Sequence, residues 1–408
     1  MPTNRLTPIL EARVDELRAS GRLKGAEAVT VAVLPPASGT GPRFLIEGGG
    51  ERPFLRMNSN SYLGLSLNTR VLAAEEEAVR RYGTGPGAVR FISGTWAPHV
   101  ALERRLAKFH GREAGMLFSS AYATVMGVLP QLITDKTAVI SDALNHNCII
   151  NAIALARPAE KRIYRHLDLD ELEHHLASVA KTCARAIVVT DGVFSMRGDH
   201  APLDAIAKLL AEFDAVFPEN VLLVVDDSHG VGGFGRTGRG TEEITGSDPV
   251  DVLIGTLGKA FGVNGGYLVA SASIVGYLRE TSPFYIYSNP ITPAEAEAAL
   301  VAVDHVDSVE GIAALDHLRA MTGRFRDGLT KLGLETVTGE HPVVPLLVRD
   351  SARTARLVRH LRAQGILATG LNYPVVPKGE EEIRFQICAD HTTLDIDEAL
   401  AALQQFQG

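Results

Sequence analysis

From about residue 70 onward, short apolar segments alternate with helix-forming segments, and this alternation restricts the fold more than any other feature of the 408-residue chain. Seven strand candidates share a short, apolar composition: GMLFSS, TAVISD, RIYRH, AIVVTD, VLLVVDD, DVLIGT and GGYLVAS. Helix-forming stretches such as HVALERRLAKFH and PLDAIAKLLAEF separate them. We therefore predict an α/β fold with a large, doubly wound, mostly parallel sheet covered by helices on both faces. In such a sheet the functional side chains lie on turns beyond the carboxyl ends of the strands.

The alternation divides the chain into three regions. Residues 8–20 have apolar side chains at spacings of three and four, typical of an amphipathic helix. The segments VTVAVL and FLIEG then flank a turn-rich connection and predict a two-stranded meander. After residue 290 a helix-forming run leads into a smaller α+β unit with strands near PVVPLLV and EIRFQICA. We predict an N-terminal helix and meander over 1–55, a large domain over 56–290 and a small C-terminal domain over 291–408.

Charge and composition exclude several classes of partner. The chain has 40 Lys and Arg against 48 Asp and Glu, a formal net charge of −8, so it lacks the basic surplus that binds a nucleic acid backbone. No segment reaches the roughly 18 apolar residues of a membrane-spanning helix, and the N-terminal segment contains acidic residues where a signal peptide has an apolar stretch. We therefore expect a cytoplasmic protein that binds neither nucleic acid nor membrane.

Known metal and nucleotide motifs are missing from the sequence. Three cysteines, Cys148, Cys183 and Cys388, lie far apart without a CxxC pair, so we expect inert buried side chains and no metal site. The glycine-rich stretch GTGPGAVRFISGT matches neither a Walker lysine motif nor GxGxxG before a helix. The pattern therefore does not favour binding of a nucleoside triphosphate or a dinucleotide.

The strongest local motif is IGTLGKAFG, in which Lys259 follows a short apolar strand in a glycine-lined turn. Apolar surroundings disfavour the charged form of a lysine and make it suitable for Schiff-base chemistry. Taken alone, the same pattern also fits a lysine that extends into solvent from a strand end. The motif therefore identifies a candidate nucleophile.

A second strand, VLLVVDDSHG, runs directly into Asp226 and Asp227. A carboxylate at the mouth of a sheet can hold a proton on a pyridine nitrogen, which turns a pyridoxal ring into an electron sink. Two adjacent carboxylates could equally coordinate Mg²⁺ or cap the following turn. The residues alone leave these three functions open.

Further polar side chains follow the neighbouring strands. His146 comes just after TAVISD and Ser195 follows AIVVTD, so an imidazole that can stack on a ring and a hydroxyl donor lie at the same edge. Ser119 and Ser120 end a strand where a helix begins near Tyr122. The backbone N–H groups of such a helix start form an anion site suited to a phosphate, although the serines could simply be helix caps.

Seven motifs together resemble the α-oxoamine synthase family of pyridoxal 5'-phosphate (PLP) enzymes, which have the aspartate aminotransferase fold, also called PLP-dependent transferase fold type I. They occur in the family's order from about residue 55 to the end: NSNSYLGL, GTGPGAVRFISGT, SDALNHNCII, TDGVFSMRGD, VVDDSHGVGGFGRTGRGT, IGTLGKAFG and YPVVPKGEEEIRFQICADHT. Within the family, the phrases DALNH, TDGVFSM and YPVVPKG look most like the glycine C-acetyltransferase branch, also named 2-amino-3-ketobutyrate CoA ligase.

The resemblance implies four catalytic residues. Lys259 would hold the cofactor as a Schiff base and later move the Cα proton, Asp226 would pair with the pyridine nitrogen, and His146 would stack on the ring. His229 would contact the phenolic oxygen and polarise a carbonyl of the substrate. Among the other implied contacts, Ser195 would contact the phenolic oxygen, and Arg384 would hold the amino-acid carboxylate. The phosphate would be bound by the backbone N–H groups of Ala121 and Tyr122, the Thr256 hydroxyl and the partner subunit's Ser288. Asn60, or Asn58 in the alternative register, would contact the entering substrate.

The resemblance also implies the reaction. A small amino acid, glycine first, would condense with an acyl-CoA or acyl-carrier-protein thioester to give a β-keto amino acid or an α-amino ketone, in a homodimer with shared active sites. Three other functions stay open: a synthase similar to 8-amino-7-oxononanoate synthase or dependent on a carrier protein, a fold-type I aminotransferase, and a catalytically silent scaffold subunit.

Three segments depart from the acetyltransferase branch. The chain has TWAPH, with its only tryptophan Trp96, where that branch has a pattern like QDSH, and it has FGVNGGY and SNPITP where the branch resembles GGASGGY and SNSLAP. In the family these segments border the acyl side of the pocket. We therefore expect an acyl group other than acetyl, and Trp96 could also be a packing residue at a helix entry.

Overall fold

A seven-stranded sheet forms the centre of the molecule, in agreement with the predicted alternation. The structure is a computed structural model and describes residues 3–20, 22–23, 27–373 and 376–407. Its helices and strands, in chain order, are α1 (Thr7–Ala19), β1 (Thr30–Leu34), β2 (Arg43–Ile46), β3 (Leu55–Arg56), α2 (Thr69–Tyr82), α3 (Ala97–Phe109), β4 (Ala114–Phe118), α4 (Ala121–Leu132), β5 (Thr137–Asp142), α5 (Asn147–Ala156), β6 (Glu160–Tyr164), α6 (Leu169–Val179), β7 (Arg185–Asp191), α7 (Leu203–Phe213), β8 (Val221–Asp226), α8 (Thr241–Thr245), β9 (Val252–Thr256), β10 (Gly266–Ala270), α9 (Ala272–Thr281), α10 (Pro283–Ile286), α11 (Pro293–Val306), α12 (Val309–Lys331), β11 (Val343–Leu347), α13 (Ser351–Ala363), β12 (Ile366–Leu367), β13 (Thr369–Leu371), β14 (Glu382–Gln386) and α14 (Thr393–Gln404).

The strand order of the large sheet is β4-β10-β9-β8-β7-β5-β6. Strand β10 is antiparallel to both of its neighbours, and the strands from β9 to β6 all pair in parallel. Strands β5, β9 and β10 are buried along their whole length, as expected where helices cover both faces. The prediction of a mostly parallel sheet is confirmed, with one reversed strand.

Several helices begin at capping side chains that the sequence supplies. Ser120 caps α4 by accepting a hydrogen bond from Ala123 N at 3.1 Å, so the helix-cap function predicted for it is present. Thr292 and Glu295 form a reciprocal capping box at the start of α11. Each cap of this kind stabilises a helix by about 1 kcal/mol and fixes where the preceding strand-to-helix turn ends.

A second, smaller sheet with the order β11-β14-β13 forms the C-terminal unit, where the sequence predicts two strands. The predicted meander also forms, as the antiparallel pair β1 and β2. The N-terminal segment packs with this unit, because β3 pairs in parallel with β12 and Gly41 N donates to Asp395 Oδ2 at 2.9 Å. Helix α11 lies against α2 and α3 of the large unit.

The predicted N-terminal helix is present as α1, but none of its residues is buried in the single chain. The four apolar side chains of the predicted stripe are 37–53 % exposed: Ile9, Leu10, Val14 and Leu17. Exposed apolar patches that are contiguous are typical of surfaces that bind another protein. Within the part of the chain that the structure describes, no helix is both long enough and apolar enough to cross a membrane.

Candidate active site

A pocket opens at the carboxyl ends of β5, β7 and β8, beside the turn after β9 and the start of α4. Its enclosed part measures about 60 Å³, and it reaches the surface at Tyr122, whose side chain is 41 % exposed. The residues that line it are Ala121, Tyr122, His146, Cys148, Asp191, Val193, Ser195, Asp226, Ser228, His229 and Lys259. Seven of the residues predicted from the sequence are therefore brought together at one edge of the sheet.

Lys259 lies in the tight turn that follows β9. Burial lowers the pKa of Lys259 to about 8, and the nearby carboxylates of Asp226 and Asp191 partly oppose that shift. The turn requires glycine at position 262, because φ is +72° there and a Cβ atom would collide with the backbone of Ser66. A lysine held in this way presents a substantial fraction of neutral, nucleophilic amine near neutral pH.

The adjacent carboxylates Asp226 and Asp227 have separate functions, because successive side chains of a strand point to opposite faces. Asp226 lines the pocket and accepts hydrogen bonds from Ser228 N at 3.1 Å and Ser228 Oγ at 2.6 Å. Asp227 is fully buried and accepts from Thr241 N at 2.7 Å and Thr241 Oγ1 at 2.6 Å. Of the three functions left open by the sequence, capping of the following turn is thus the one that the contacts of Asp227 fit. Among the described residues, no group of three or more His, Cys, Asp or Glu side chains is arranged to hold a metal ion.

Asp191 lies directly beside Asp226, since the two are paired in the register of β7 and β8. Burial raises the pKa of Asp191 well above its usual value, and repulsion by Asp226 adds to the effect. One oxygen of Asp191 accepts a hydrogen bond from His146 N at 3.1 Å. This bond fixes the start of α5, and with it the position of the His146 ring at the rim of the pocket.

The start of α4 offers two free backbone donors. Ser120 Oγ accepts from Ala123 N and Ser120 O accepts from Thr124 N at 2.9 Å. The N–H groups of Ala121 and Tyr122 find no acceptor among the described residues, although both residues line the pocket. Unpaired N–H groups at a helix start attract an anion such as a phosphate.

His229 is held from behind by two buried aromatic side chains. Tyr62 Oη lies 2.7 Å from His229 Nδ1, and His341 Nε2 lies 3.0 Å from the His229 carbonyl oxygen. Burial lowers the pKa of His229 well below its usual value, and the positive groups of Lys259 and Arg384 strengthen the effect. His229 is therefore a neutral imidazole whose orientation is fixed by contacts outside the pocket.

Arg384 approaches the pocket from β14 of the small unit. Its Nη1 donates to the Ser195 carbonyl oxygen at 3.0 Å. With the Gln386 amide oriented to satisfy its neighbours, Gln386 Oε1 accepts from Arg384 Nε and Nη2 at 2.8 Å each, and Gln386 Nε2 donates to Met57 O at 3.1 Å. The guanidinium, a fork suited to a carboxylate, is thus held in one orientation beside Ser195.

Besides Arg384, three predicted residues and the alternative Asn58 do not line this pocket. Thr256 ends β9, where its hydroxyl donates to Gly265 O at 3.2 Å. Asn60 Oδ1 lies 3.5 Å from Tyr62 Oη, so it is connected to the pocket through Tyr62 and His229. Ser288 lies two residues after the end of α10 and is half-buried, next to Tyr287, which is 77 % exposed. Asn58 donates to Thr369 Oγ1 at 3.3 Å in the small unit.

Sequence reasoning missed several members of the site. Cys148, expected to be inert, does line the pocket, with Sγ 3.0 Å from His146 Nδ1 and 3.7 Å from Asp226 Oδ2. Burial and the neighbouring carboxylates raise the pKa of this thiol, which keeps it protonated. Asp191 had a partial signal, since it ends the predicted strand that comes before the Asp226 strand along the chain, but the sequence does not show that the two strands are neighbours in the sheet. Tyr62 and Gln386 had none, because only the folded chain brings them to His229 and Arg384.

The chain is similar to known proteins over nearly its whole length. The family model described as "Aminotransferase class I and II" matches residues 52–403. An 8-amino-7-oxononanoate synthase of Geobacter sulfurreducens is 38 % identical over 402 residues, which cover 98 % of each chain. A mitochondrial 2-amino-3-ketobutyrate coenzyme A ligase of Bos taurus is 37 % identical over 401 residues, which cover 97 % of this chain and 91 % of the relative.

Solved structures agree with these relatives. The serine palmitoyltransferase of Sphingomonas wittichii has a TM-score of 0.87 and 26 % identity, and the match covers 98 % of this chain and 97 % of that one. A structure described as SPT with PLP internal aldimine has a TM-score of 0.85 and 25 % identity, and the match covers 97 % and 96 % of the two chains. The predicted fold is confirmed.

Proposed function

Because the chain belongs to the α-oxoamine synthase family of PLP-dependent acyltransferases, we propose that it condenses glycine with an acyl thioester and releases the free thiol. In this condensation a C–C bond forms between the amino acid's Cα and the acyl carbon while the acyl C–S bond breaks. The proton lost from Cα balances the thiol that leaves, and the product keeps or loses its carboxylate as CO₂. One observation supports the proposal most: Lys259 and Asp226 line the same pocket, and Arg384 donates to the carbonyl oxygen of Ser195, which lines it too.

The residues present fit PLP. The unpaired N–H groups of Ala121 and Tyr122 suit its phosphate, Asp226 suits its ring nitrogen, and Lys259 suits its aldehyde carbon. When bound, PLP supplies an electron sink for the carbanion that forms at the amino acid's Cα. Thr256 would reach the phosphate by turning its hydroxyl away from Gly265.

Each of the four catalytic side chains has a defined task in this proposal. Lys259 Nζ would accept the proton that leaves the amino acid's Cα. Asp226, held by Ser228, would pair with the protonated ring nitrogen of PLP, and the His146 ring would pack against the cofactor. With Tyr62 Oη donating to Nδ1, the neutral His229 ring would carry its proton on Nε2 and would donate it toward the phenolic oxygen or the thioester carbonyl.

The remaining residues orient the substrate. Arg384 holds the amino acid's carboxylate, and Gln386 and the Ser195 carbonyl oxygen keep the guanidinium pointing in one direction. Ser195 donates its hydroxyl to the phenolic oxygen from the pocket wall. Asn60 contacts the entering substrate from beside Tyr62. A fixed carboxylate sets which bond at Cα lies perpendicular to the cofactor ring.

The active unit in this proposal is a homodimer. The open apolar face of α1 supports it, because such a face calls for a second chain. The partner subunit's Ser288 would then complete the phosphate site. The cytoplasmic location expected from the composition stays a prediction, and one relative is named as a mitochondrial protein.

The acyl donor in this proposal is larger than acetyl and is carried by CoA or by a carrier protein. Two of the three segments that depart from the acetyltransferase branch contact the third: His99 Nε2 lies 2.8 Å from Ile291 O, and a Cβ atom at Gly265 would lie 3.1 Å from Ile291 Cγ2. Trp96 is a packing residue, since its indole N–H donates to Pro86 O at 3.1 Å and its ring packs edge-on against Tyr82. Segments that pack as one layer would change together when the acyl side of the pocket changes.

Absorbance and thiol release test the proposal. The purified chain should absorb at about 420 nm, the band of a lysine-bound PLP, and Lys259→Ala should lose that band together with all turnover. Glycine with a panel of acyl-CoA and acyl-carrier-protein thioesters should release thiol without an α-keto acid. A preparation that cannot be loaded with PLP, or turnover that requires an α-keto acid, would contradict the proposal, and turnover with acetyl-CoA alone would contradict the larger acyl group.

A further inference from the structure

A second cavity of about 300 Å³ adjoins the Lys259 pocket, and the two share Ser195. We call it the Glu382 pocket. It lies between the 193–199 loop of the large unit and the ends of β11 and β14, and it is lined by Leu144, Phe194, Ser195, Met196, Arg197, Val337, Leu347, Arg349, Val376, Pro377, Glu380 and Glu382. Its volume is at the lower end of the range for small-molecule sites, and its lining is divided about evenly between apolar and polar surface.

Glu382 is the unusual member of this lining. The residue is 3 % exposed. Its Oε1 atom is buried, and no described residue forms a hydrogen bond with it. Burial raises the pKa of Glu382 to about 8, although Arg384 and Arg197 oppose the shift. A buried carboxyl group without partners costs free energy that a bound donor would recover.

The arginines around Glu382 are engaged elsewhere. Arg384 contacts Ser195 O and Gln386, Arg197 Nε donates to Asp199 Oδ2 at 2.9 Å, and Arg349 pairs with Glu335. In the described part of the chain, none of these guanidinium groups forms an ion pair with Glu382. The described residues therefore supply no ion-pair partner for Glu382, and a cationic ligand in the cavity would supply one and favour the ionised carboxylate over the protonated form.

The strand register places Glu382 beside the substrate. Glu382 and Arg384 are two residues apart in β14, so they lie on the same face about 7 Å from each other. In the proposed function Arg384 holds the amino acid's carboxylate, which puts a substrate bound there within a few carbon atoms of Glu382. Phe194, Leu144 and Met196 offer an apolar wall along that path.

We propose, on the basis of the proposed function, that the Glu382 pocket selects a substrate with a short aliphatic chain that ends in an ammonium group. The methylene groups pack against the apolar wall, and the ammonium pairs with the Glu382 carboxylate. The chain belongs either to the amino acid, which would then take the place of glycine in the proposed function, or to the acyl group, because Ser195 lines both cavities and Arg384 contacts its carbonyl oxygen. Glu382 is a specificity residue in this proposal and takes no part in bond breaking.

Binding to the PLP-loaded protein distinguishes the two sources. Ornithine and norleucine differ by an ammonium in place of a methyl group and test the amino acid. β-Alanyl-CoA and butanoyl-CoA differ in the same way and test the acyl group. Calorimetric dissociation constants should favour the ammonium member by tenfold or more in one arm, which corresponds to 1.4 kcal/mol. A wild-type protein without that preference in either arm would overturn the proposal.

Three variants connect the preference to Glu382. Glu382→Gln should reduce it to threefold or less, and Glu382→Leu should reverse it. Glu380→Gln is the matched control, because Glu380 lines the same cavity with a side chain that is 51 % exposed, and it should keep the wild-type preference. Glu382→Gln is nearly isosteric and decides the matter if the leucine variant does not fold. An unchanged preference in Glu382→Gln would overturn the proposal.

The binding assay fails separately from the proposed function. Thiol release without an ammonium preference would contradict the selectivity proposed for the Glu382 pocket and would still support the acyltransferase activity. An ammonium preference without thiol release from any thioester would contradict the proposed condensation and would still support the selectivity of the Glu382 pocket.

Discussion

The two sides of the active site are built differently. The floor, formed by Asp191, Asp226 and Lys259, lies on the ends of neighbouring strands, and both of its carboxylates accept hydrogen bonds from the chain. The wall is formed by the 193–199 loop with Glu382 and Arg384 of β14. It joins the large sheet to the small C-terminal sheet, and it includes a buried carboxyl group that lacks a partner among the described residues. The floor is thus fixed by the sheet, whereas the wall leaves a polar group for a ligand.

This difference assigns chemistry to the floor and selectivity to the wall. The register that pairs Asp191 with Asp226 cannot change without shifting β7 against β8, which would turn every side chain of the strand to the other face. The wall depends on loop residues and on one face of a three-stranded sheet, where single substitutions are tolerated more easily. Variants of the floor should therefore lose turnover, and variants of the wall should change preference.

After Lys259→Ala, Asp226→Ala should have the largest effect on turnover. It removes the carboxylate that stabilises charge developing on the cofactor, and a loss of this kind costs roughly 10²–10³-fold in kcat. Thiol release from glycine and the best thioester measures it, at saturating PLP so that cofactor loss is controlled. Ser228→Ala is the matched control: it removes the 2.6 Å bond to Asp226 Oδ1 and should cost far less. A kcat for Asp226→Ala within threefold of wild type would place the essential charge elsewhere.

Asp227→Ala should instead lower stability, although its position is adjacent. It leaves Thr241 N and Oγ1 buried without an acceptor, which costs roughly 3 kcal/mol of unfolding free energy. The backbone at Gly192 and Gly230 packs directly against this carboxylate, because a Cβ atom at either position would lie 2.2 Å from Asp227 Oδ1. Urea denaturation followed by circular dichroism measures the loss, and the folded fraction should keep its kcat. Equal stability of Asp227→Ala and wild type would contradict the difference between the two carboxylates.

The floor could be predicted from the sequence because strand period and strand ends are local features. The apolar strands, the polar residues that follow them and the capping Ser120 are all readable in windows of about ten residues. Asp191 was missed because its meaning depends on the order of β7 and β8 in the sheet, which single strands do not reveal. Cys148 was assigned by composition alone, and its position two residues after His146 puts it beside Asp226.

The wall could not be predicted in the same way, because it arises from contacts between distant segments. Arg384 was found only through the family resemblance, and Gln386, which orients it, had no signal. Tyr62 reaches His229 from the N-terminal part of the chain. The Glu382 pocket requires the packing of the 193–199 loop against β11 and β14, and a glutamate in the motif GEEEIRF looks in sequence like a solvated residue. Burial of such a side chain is a tertiary property.

The smallest expected effect concerns His166, which connects the two sides. Its Nδ1 lies 3.1 Å from Asp142 at the end of β5, and its Nε2 lies 3.2 Å from Asp199 in the wall loop, where Arg197 also contacts Asp199. Burial disfavours the charged ring, but the two carboxylates outweigh it and raise the pKa of His166 to about 9. The unfolded chain has the ordinary histidine pKa of about 6.5. The stabilisation is therefore complete below pH 6.5 and is lost as the pH rises through 9.

His166→Gln removes this titration while leaving every other group in place. The Tm of wild type should exceed that of the variant by a few degrees at pH 6, and the difference should shrink steadily between pH 6.5 and 9. Other groups that titrate in this range, such as Lys259, are common to both proteins and cancel in the difference. Asp199→Asn, which removes one of the two charges on the ring, should give an intermediate slope. Parallel Tm curves across this range would mean that the floor and the wall are joined by packing alone, without the charged histidine between them.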